Sequence, residues 1–250
     1  MKSFVPIALI CAASFSARAA EPGFLPKNSE GRSLNLGFED GTLKDWTAAG
    51  KAFDRQPVRG DTVAPRRGDM RSLHEGDYWI GTYERSGDEP QGTLTSVPFK
   101  VTHPWASFRV AGGNQESTRV ELVNGETRQP LFKIVGDQTE TLRPVIVDLS
   151  KHQGQEIFIR VVDEASGGWG HINFDDFRFH AQRPSLPNAI DPAQQAADAP
   201  PPMDLVKFAG LLPQQAADAA SVPEGFALKL FAGEPDVQQP IAFAIDDRGR

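Results

Sequence analysis

Aromatic and planar polar side chains occur together in two short segments of this sequence. The first segment is Tyr78-Trp79-Ile80-Gly81-Thr82-Tyr83-Glu84-Arg85, and the second follows Gly112-Gly113. Aromatic faces can cover the C–H groups of a sugar ring, and planar polar side chains can bind its hydroxyl groups. The candidate ligand-binding residues are therefore Trp79, Tyr83, Arg85, Asn114, Gln115 and Glu116. Residues 78–80 also have the pattern of a core strand, so either aromatic side chain of this segment could face the interior instead.

Histidines and carboxylates do not form a pattern typical of catalysis. The histidines are widely scattered and lack the i,i+4 spacing of a helical zinc pair: His74, His103, His152, His171 and His180. Glycoside hydrolysis needs two carboxyl groups about 5–10 Å apart across a cleft. Asp175 and Asp176 are adjacent, and adjacent residues of a strand point to opposite faces. No catalytic residue is predicted.

The glycine-rich segment Gly167-Gly168-Trp169-Gly170-His171 has two possible interpretations. It could be a catalytic loop, or a turn that enters a strand and lets the indole pack flat. No cysteine or clear serine nucleophile lies near His171 in the sequence. The second interpretation, with structural roles for Trp169 and His171, is therefore favoured.

The first residues have the pattern of a secretory leader. Lys2 precedes an apolar run over residues 4–15, and Ala17-Arg18-Ala19 is typical of a cleavage site. Residues 1–19 are therefore predicted to be a signal peptide and the protein to be exported, periplasmic or extracellular. The run is shorter than the ~20 residues of a transmembrane helix, and no later segment is long and apolar enough to span a membrane.

Cysteine content and charge restrict the remaining chemistry. Cys11 is the single cysteine and lies within the predicted leader, so the exported chain has no disulfide, cysteine metal site or thiol nucleophile. Loss of Lys2 and Arg18 with the leader changes the formal net charge from −7 to about −9. This charge argues against nucleic acid or an anionic membrane surface as a partner.

Residues 34–179 show an all-β pattern of short β-branched and aromatic runs separated by Gly, Pro, Asn and Asp. The clearest runs are Ala106–Ala111, Arg119–Val123, Leu131–Val135, Arg143–Asp148, Glu156–Val162 and His171–Phe179. Both faces of Glu156–Val162 are apolar, which predicts a central strand packed on two sides. About eight such strands predict two packed antiparallel sheets, a β-sandwich over residues 30–181.

The remaining sequence is predicted to be a linker and the beginning of another domain. Residues 182–221 are rich in Pro, Ala, Gln and Asp, with one possible amphipathic helix over Met203–Leu212. The string Gln-Gln-Ala-Ala-Asp-Ala occurs at 194–199 and 214–219, and compositional bias explains it better than a structural repeat. Residues 222–250 contain two alternating runs, Ala227–Ala232 and Ile241–Asp246, and are expected to open a longer domain.

Two segments at opposite ends of the β region carry a family resemblance. Residues 35–46, with Gly37-Phe38-Glu39-Asp40-Gly41, and residues 167–177, with Trp169-Gly170-His171-Ile172 and Asp175-Asp176-Phe177, resemble the galactose-binding-like jelly-roll modules found beside glycoside hydrolases of the levanase and invertase type. The resemblance spans about 145 residues and implies a jelly-roll β-sandwich.

The same resemblance implies a calcium ion shared by the opening glutamate and a closing aspartate. Glu39 and Asp176 are the favoured ligands, and Asp40 and Asp175 are weaker candidates. Ca²⁺ takes 6–8 oxygen ligands, which carboxylates and the carbonyls of a glycine-rich turn can provide. The alternative is that these carboxylates are turn residues or cap neighbouring amides.

Residues 222–243 and the ending Asp246-Asp247-Arg248-Gly249-Arg250 are similar to the entry strand of β-propeller dehydrogenase-like proteins of planctomycetes and verrucomicrobia. Members of that group often carry a c-type haem domain. No Cys-x-x-Cys-His is present, so no haem is expected within this chain.

Three functions therefore remain open for the sandwich. The favoured one is a non-catalytic module that binds carbohydrate or a cell-surface polymer and is attached to an exported dehydrogenase-like protein. The second is a structural spacer that packs on the downstream propeller. The third, a glycoside-processing enzyme in its own right, would require a convergent pocket with perturbed carboxylates.

Overall fold

The computed structural model describes residues 23–192 and 211–233. The predicted signal peptide, the candidate helix Met203–Leu212 except its last two residues, and the run Ile241–Asp246 lie outside the described residues. The chain divides into two units, residues 1–197 and 198–250. Among the described residues, no helix is both long and apolar enough to cross a membrane.

The first unit is an antiparallel β-sandwich, as the sequence predicts. Its strands are β1 (Trp46–Gly50), β2 (Val58–Arg59), β3 (Tyr78–Gly81), β4 (Gly92–Ser96), β5 (Phe99–Lys100), β6 (Trp105–Gly112), β7 (Thr118–Asn124), β8 (Pro130–Val135), β9 (Thr139–Asp148), β10 (Glu156–Asp163) and β11 (Ile172–His180). Two four-residue helices, α1 (Val63–Arg66) and α2 (Tyr83–Ser86), and a 3₁₀ turn (Ser150–His152) lie between strands.

One sheet has the order β1-β4-β10-β7-β8, with β5 paired to β10, and the other has the order β2-β3-β11-β6-β9. The core between the sheets is filled by alternate apolar residues, with Phe38, Phe108, Phe174 and Phe177 among the largest buried side chains. Strand β10 lies between β4 and β7, and Phe158 and Val162 on its second face are also buried. The predicted central strand is therefore confirmed.

The outer face of the β2-β3-β11-β6-β9 sheet is covered by the segment between β2 and β3. Trp79, Leu142 and Ala111 project from this face and form a second apolar cluster, against which Met70 packs. The long β2–β3 segment thus packs α1 against this face, where Val63 joins the cluster.

The packed domain extends beyond the predicted boundary at residue 181. The backbone N–H of Ile190 donates to Pro144 at 2.8 Å, the Ile146 N–H donates to the Ile190 carbonyl at 2.9 Å, and the Ile190 side chain joins the core. A single apolar residue in a Pro- and Ala-rich segment is too weak a signal for sequence analysis to place in a core.

In the second unit the described residues contain one helix, α3 (Pro213–Ala219), and no strand within 211–233. The helix coincides with the second Gln-Gln-Ala-Ala-Asp-Ala string, and proline at its start suits the first helical turn. The expected strand over residues 227–232 does not form, and Phe226, Leu228 and Phe231 are exposed.

Candidate functional site

Four loops that carry most of the candidate ligand residues lie together at one end of the sandwich. Strands β3, β6, β8 and β10 end there and β4, β7, β9 and β11 begin there, as the pairs Gly112 with Ile172 and Asp163 with Thr118 show. We call this end the loop end. It consists of residues 82–91, 113–117, 136–138 and 164–171.

Two half-exposed aromatic side chains and a buried imidazole form an aromatic platform at the loop end, defined here as Tyr83, Trp169 and His171. The Trp169 ring stacks on His171 with centroids 5.5 Å apart, and the Tyr83 ring lies 5.1 Å from His171. Guanidinium groups cover the two rings, with Arg66 4.4 Å from the Tyr83 centroid and Arg67 5.8 Å from that of Trp169. Cation–π contacts of this kind hold the rings in place.

Trp169 has a backbone conformation that bulky residues rarely adopt. Its φ is 62°, and such outliers concentrate at functional or tightly packed positions. The neighbouring loop approaches it closely, because a Cβ at Gly113 would lie 2.2 Å from the Trp169 carbonyl oxygen. The Gly113 N–H also donates to the His171 carbonyl at 2.9 Å. Glycine at 113 therefore fixes the 113–117 loop against the platform.

An ion network adjoins the platform and is centred on the buried Glu140. Arg66 binds Glu84 at 2.5 Å and Glu140 at 2.8 Å. Asn173 Nδ2 donates to Glu140 at 3.2 Å. His171 Nδ1 lies 2.6 Å from Asp88, and its Nε2 lies 3.4 Å from Glu140, an ion-pair contact that falls short of a hydrogen bond. The network ties α1 and α2 to the first residues of β9 and β11.

The network keeps its members charged. Burial favours the neutral form of Glu140, but His171 and Arg66 outweigh it and lower the pKa of Glu140 to about 2. Burial likewise favours neutral His171, but Glu140 and Asp88 raise the pKa of its imidazole above the usual value. Because the side chains of Glu140 and His171 are only 2% and 3% exposed, the network acts as an internal support for the platform.

Asp163, at the end of β10, adds a second buried carboxyl group near His171. Its Oδ1 has no hydrogen-bond partner among the described residues. Burial raises its pKa to about 7, despite the opposing effects of the Thr82 side chain and His171. This carboxyl group therefore titrates near neutral pH.

The sequence-predicted ligand residues divide into three sets. Tyr83 belongs to the aromatic platform. The exposed residues Asn114, Gln115 and Glu116 lie at the loop end, on the loop that Gly113 fixes against Trp169. Arg85 is exposed on α2, and its carbonyl accepts a hydrogen bond from Arg55.

Trp79 requires a correction. Its side chain is fully buried, and its indole N–H donates to the Gly60 carbonyl at 2.9 Å. It therefore offers no ring face to a ligand from solvent, and the core-strand interpretation of residues 78–80 fits the structure instead.

Sequence reasoning missed the network and assigned Trp169 and His171 to structural roles alone. Arg66 and Glu140 are 74 residues apart, and neither lies in a recognisable motif. The unusual Gly-Gly-Trp-Gly string was the available signal, since it places a tryptophan in a loop rather than in a strand.

Outside the loop end, the predicted calcium ligands lie around residues 74–78, where the opening turn meets β11. Glu39 accepts hydrogen bonds from the N–H groups of Asp77 at 2.8 Å and Tyr78 at 3.1 Å. Asp175 accepts one from the Glu75 N–H at 2.7 Å. Two carboxylates from distant parts of the chain thus bind one short loop.

Asp175 has no ion pair among the residues that the structure describes. It is fully buried, and its Oδ1 has no hydrogen-bond partner among the described residues. Burial, together with the nearby charges of Asp176 and Glu39, raises its pKa well above the usual value. An unpartnered oxygen close to a second carboxylate fits a hard cation such as Ca²⁺.

The other two candidates have different partners. Asp176 binds Arg178 Nε at 2.7 and 2.9 Å, although burial still raises its pKa. Asp40 accepts hydrogen bonds from Thr42 and Asn35 within the opening turn, as a turn-capping residue does. Among the described residues, no group of three or more His, Cys, Asp or Glu side chains has the arrangement of a metal site.

One curated relative matches most of the chain. It is "Putative glycosyl hydrolase ecdE" of Aspergillus rugulosus, which is 30% identical over 225 residues. The match covers 82% of this chain but 31% of the relative, so the chain spans less than a third of that protein. No protein-family profile matches the chain.

Solved structures with related β architecture are more distant. A carbohydrate-binding module, TmCBM61, in complex with β-1,4-galactotriose has a TM-score of 0.39 and 18% identity, covering 58% of this chain and 93% of that one. A family 35 carbohydrate-binding module from Clostridium thermocellum has a TM-score of 0.27 and 10% identity, covering 52% and 95%. The C-terminal extracellular domain of Mycobacterium tuberculosis EmbC has a TM-score of 0.38 and 15% identity, covering 66% and 62%. All three scores are below 0.5, and the β-sandwich assignment rests on the two sheets of this chain.

Proposed function

We propose that the β-sandwich is a non-catalytic carbohydrate-binding module whose ligand contacts the aromatic platform. The observation that carries this proposal is the pair of half-buried rings, Tyr83 and Trp169, which pack on His171 and adjoin the ion network of Glu140. A rigid aromatic surface with polar groups at its margin suits a sugar ring, because it covers C–H groups and leaves hydroxyls within reach of hydrogen bonds.

The 30% identical relative supports this assignment, since its name places a matching segment within a protein related to glycoside processing. Binding modules hold an enzyme near its polymeric substrate and raise the effective substrate concentration. The exposed side chains of Asn114, Gln115 and Glu116 on the adjacent loop are the proposed hydroxyl-binding groups.

Two carboxylates of the ion network, Glu84 and Glu140, are poorly suited to catalysis. A glycosidase places a proton donor and a second carboxylate against the scissile bond. Glu84 and Glu140 are 4% and 2% exposed and share the same Arg66 nitrogen, so neither is available to a substrate. The relative's name nevertheless keeps glycoside hydrolysis as the second candidate function.

Polysaccharide binding and turnover should be measured together. The mature chain, residues 20–250, is incubated with insoluble galactan, levan, xylan and β-glucan, and both the bound protein and the released reducing sugar are quantified. We expect retention on at least one polymer without sugar release. Release of sugar would instead support the enzyme, and absence of all binding would support a structural spacer.

We further propose that Glu39 and Asp175 hold a structural Ca²⁺ ion. The geometry supports Asp175 over Asp176 as the aspartate ligand, because Arg178 already neutralises Asp176. A bound cation would relieve the repulsion between Glu39 and Asp175 and stabilise the loop that both residues contact.

The export of the protein and the identity of its second domain are proposed from the sequence alone. We propose that residues 1–19 are removed on export and that residues 222–250 begin a dehydrogenase-like β-propeller on which the sandwich packs. N-terminal sequencing of protein recovered outside the cytoplasm tests the first part, with Ala20 as the expected first residue. An intact Met1 would contradict it.

A further inference from the structure

We propose that the ligand site is a groove that continues from the aromatic platform into a depression beside β9, and that it binds an internal stretch of an uncharged oligosaccharide chain. The depression holds about 380 Å³ and is lined by Gly68, Asp69, Met70, Arg71, Leu73 and Thr141. We call it the loop depression. This inference rests on the proposed carbohydrate-binding function and extends it to ligand length and charge.

The platform and the loop depression are joined by Arg67. Its guanidinium lies over the Trp169 ring and also binds Asp69 through two hydrogen bonds, of 3.3 and 3.0 Å. Asp69 in turn lines the depression. A ligand at the solvent-accessible part of Trp169 therefore meets the Arg67–Asp69 pair, and the depression begins at Asp69.

A second connection runs along the start of β9. Glu140 supports the platform, and the next residue, Thr141, lines the depression. The Met70 sulfur lies 3.5 Å from the Glu140 backbone nitrogen and 3.8 Å from the Thr139 hydroxyl. The lining of the depression and the ion network beside the platform therefore share the backbone of residues 140 and 141.

The depression presents both apolar and polar groups. Leu73 is 56% exposed and has a φ of 49°, a conformation that is rare for a leucine and that places an apolar side chain in solvent. Arg71 and Asp69 are exposed beside it. Like the platform, the depression combines apolar surface with polar groups. This combination suits a second sugar residue better than a purely apolar ligand.

Most charges of the groove are paired within the protein, which favours a neutral ligand, and Arg71 donates to the Met70 carbonyl. Arg66 is paired with Glu84 and Glu140, Arg67 with Asp69, and His171 with Asp88 and Glu140. An anionic sugar would have to displace one of these carboxylates or accept their repulsion. Uncharged hydroxyl groups can share the same donors and acceptors without that cost.

Calorimetric titration with a length series tests the groove. The probes are the monosaccharide to the hexasaccharide of the neutral polymer that retains the chain, and oligogalacturonate of matched length. We expect affinity to rise by about tenfold, or about 1.4 kcal/mol, between the disaccharide and the hexasaccharide, and oligogalacturonate to bind more weakly than the neutral hexasaccharide.

The double variant Leu73→Asn/Arg71→Ala should remove the gain with length while leaving disaccharide affinity unchanged. Asparagine tolerates the positive φ at residue 73. Val97→Asn, a change at an apolar residue that is 38% exposed away from the loop end, is the matched control and should keep the full gain.

Equal affinities for disaccharide and hexasaccharide would overturn the groove while leaving carbohydrate binding intact. A length gain that persists in the double variant would place the chain elsewhere and overturn it equally. Tighter binding of oligogalacturonate would overturn the neutral-ligand assignment. If no saccharide binds the wild-type chain, the proposed function itself fails.

Discussion

Glu140 and Asp175 are two buried carboxylates of the same sheet with opposite electrostatic surroundings. Glu140, on β9, meets Arg66 and His171, and its pKa falls to about 2. Asp175, on β11, meets Asp176 and Glu39, and its pKa rises well above the usual value. The first group is neutralised within the protein, whereas the second needs a proton or an external cation.

This contrast separates two uses of acidic residues in one domain. At the loop end, paired charges adjoin two half-buried rings, and the carboxylates of Glu84 and Glu140 are almost fully buried in ion pairs. Near residues 74–78, Glu39 and Asp175 accept hydrogen bonds from backbone N–H groups and have no ion pair among the described residues, which is the feature expected of a metal site. Burial alone would not distinguish Glu140 from Asp175, because both residues are almost fully buried.

Glu140→Gln should produce the largest loss of stability. The change leaves the buried His171 without Glu140 and leaves Arg66 with Glu84 alone, and breaking a buried ion pair typically costs about 3–5 kcal/mol. Urea denaturation measures the effect. Asp137→Asn removes the exposed partner of Arg143 and should cost less than about 1 kcal/mol. If both variants lost the same free energy of unfolding, the network would stabilise the fold no more than an exposed ion pair does.

Asp163 should make stability depend on pH near neutrality. Its pKa is raised from 3.8 to about 7, so the neutral carboxyl group favours the fold fully below pH 4, and this contribution is lost as the pH rises through 7. Asp163→Asn imitates the neutral form and should therefore be more stable than wild type at pH 8, by up to about 4 kcal/mol.

Thermal melting of Asp163→Asn and wild type at pH 5 and pH 8 tests this pH dependence. The two proteins should differ less at pH 5 than at pH 8. A difference that does not change with pH would mean that Asp163 does not titrate in this range. Asp148→Asn, at an exposed carboxylate at the other end of the sandwich, is a suitable control.

Calcium should stabilise the chain by about 2.7 kcal/mol when free ion exceeds its dissociation constant a hundredfold. Chelation should therefore lower the melting temperature by several degrees. Glu39→Ala and Asp175→Asn should each abolish the difference between calcium and chelator. Asp176→Asn should retain it, because Arg178 occupies that side chain.

The two aspartate variants also distinguish the ligands that sequence alone left open. Loss of the calcium effect in Asp176→Asn but not in Asp175→Asn would restore the original preference for Asp176. No effect of chelator on wild type would remove the metal proposal.

The fold was predictable because each strand carries its own signal. The six clear runs between residues 106 and 179 coincide with β6 to β11, except that His171 precedes β11, and their alternation decides which side chains enter the core. Trp79 points away from the main core and is covered by the β2–β3 segment. This arrangement was not predictable, because the segment has no alternating apolar pattern.

The sites were less predictable, because distant contacts determine them. Arg66, Glu140 and His171 come from three separated segments, and no local spacing connects them. The choice between Asp175 and Asp176 depends on a register shift between residues 175 and 178 and on the positive φ of Asp176, which no strand pattern reveals.

Calorimetric titration of Trp169→Ala with the polysaccharide that retains the chain tests the central claim most directly. Trp105→Ala is the matched control, because Trp105 is also half-buried beside an arginine but begins β6 at the opposite end, roughly 23 Å along the strand. Loss of an aromatic anchor should weaken binding by about tenfold or more, while the control binds as wild type. Unchanged binding in Trp169→Ala, with both variants folded, would contradict a ligand site at the aromatic platform.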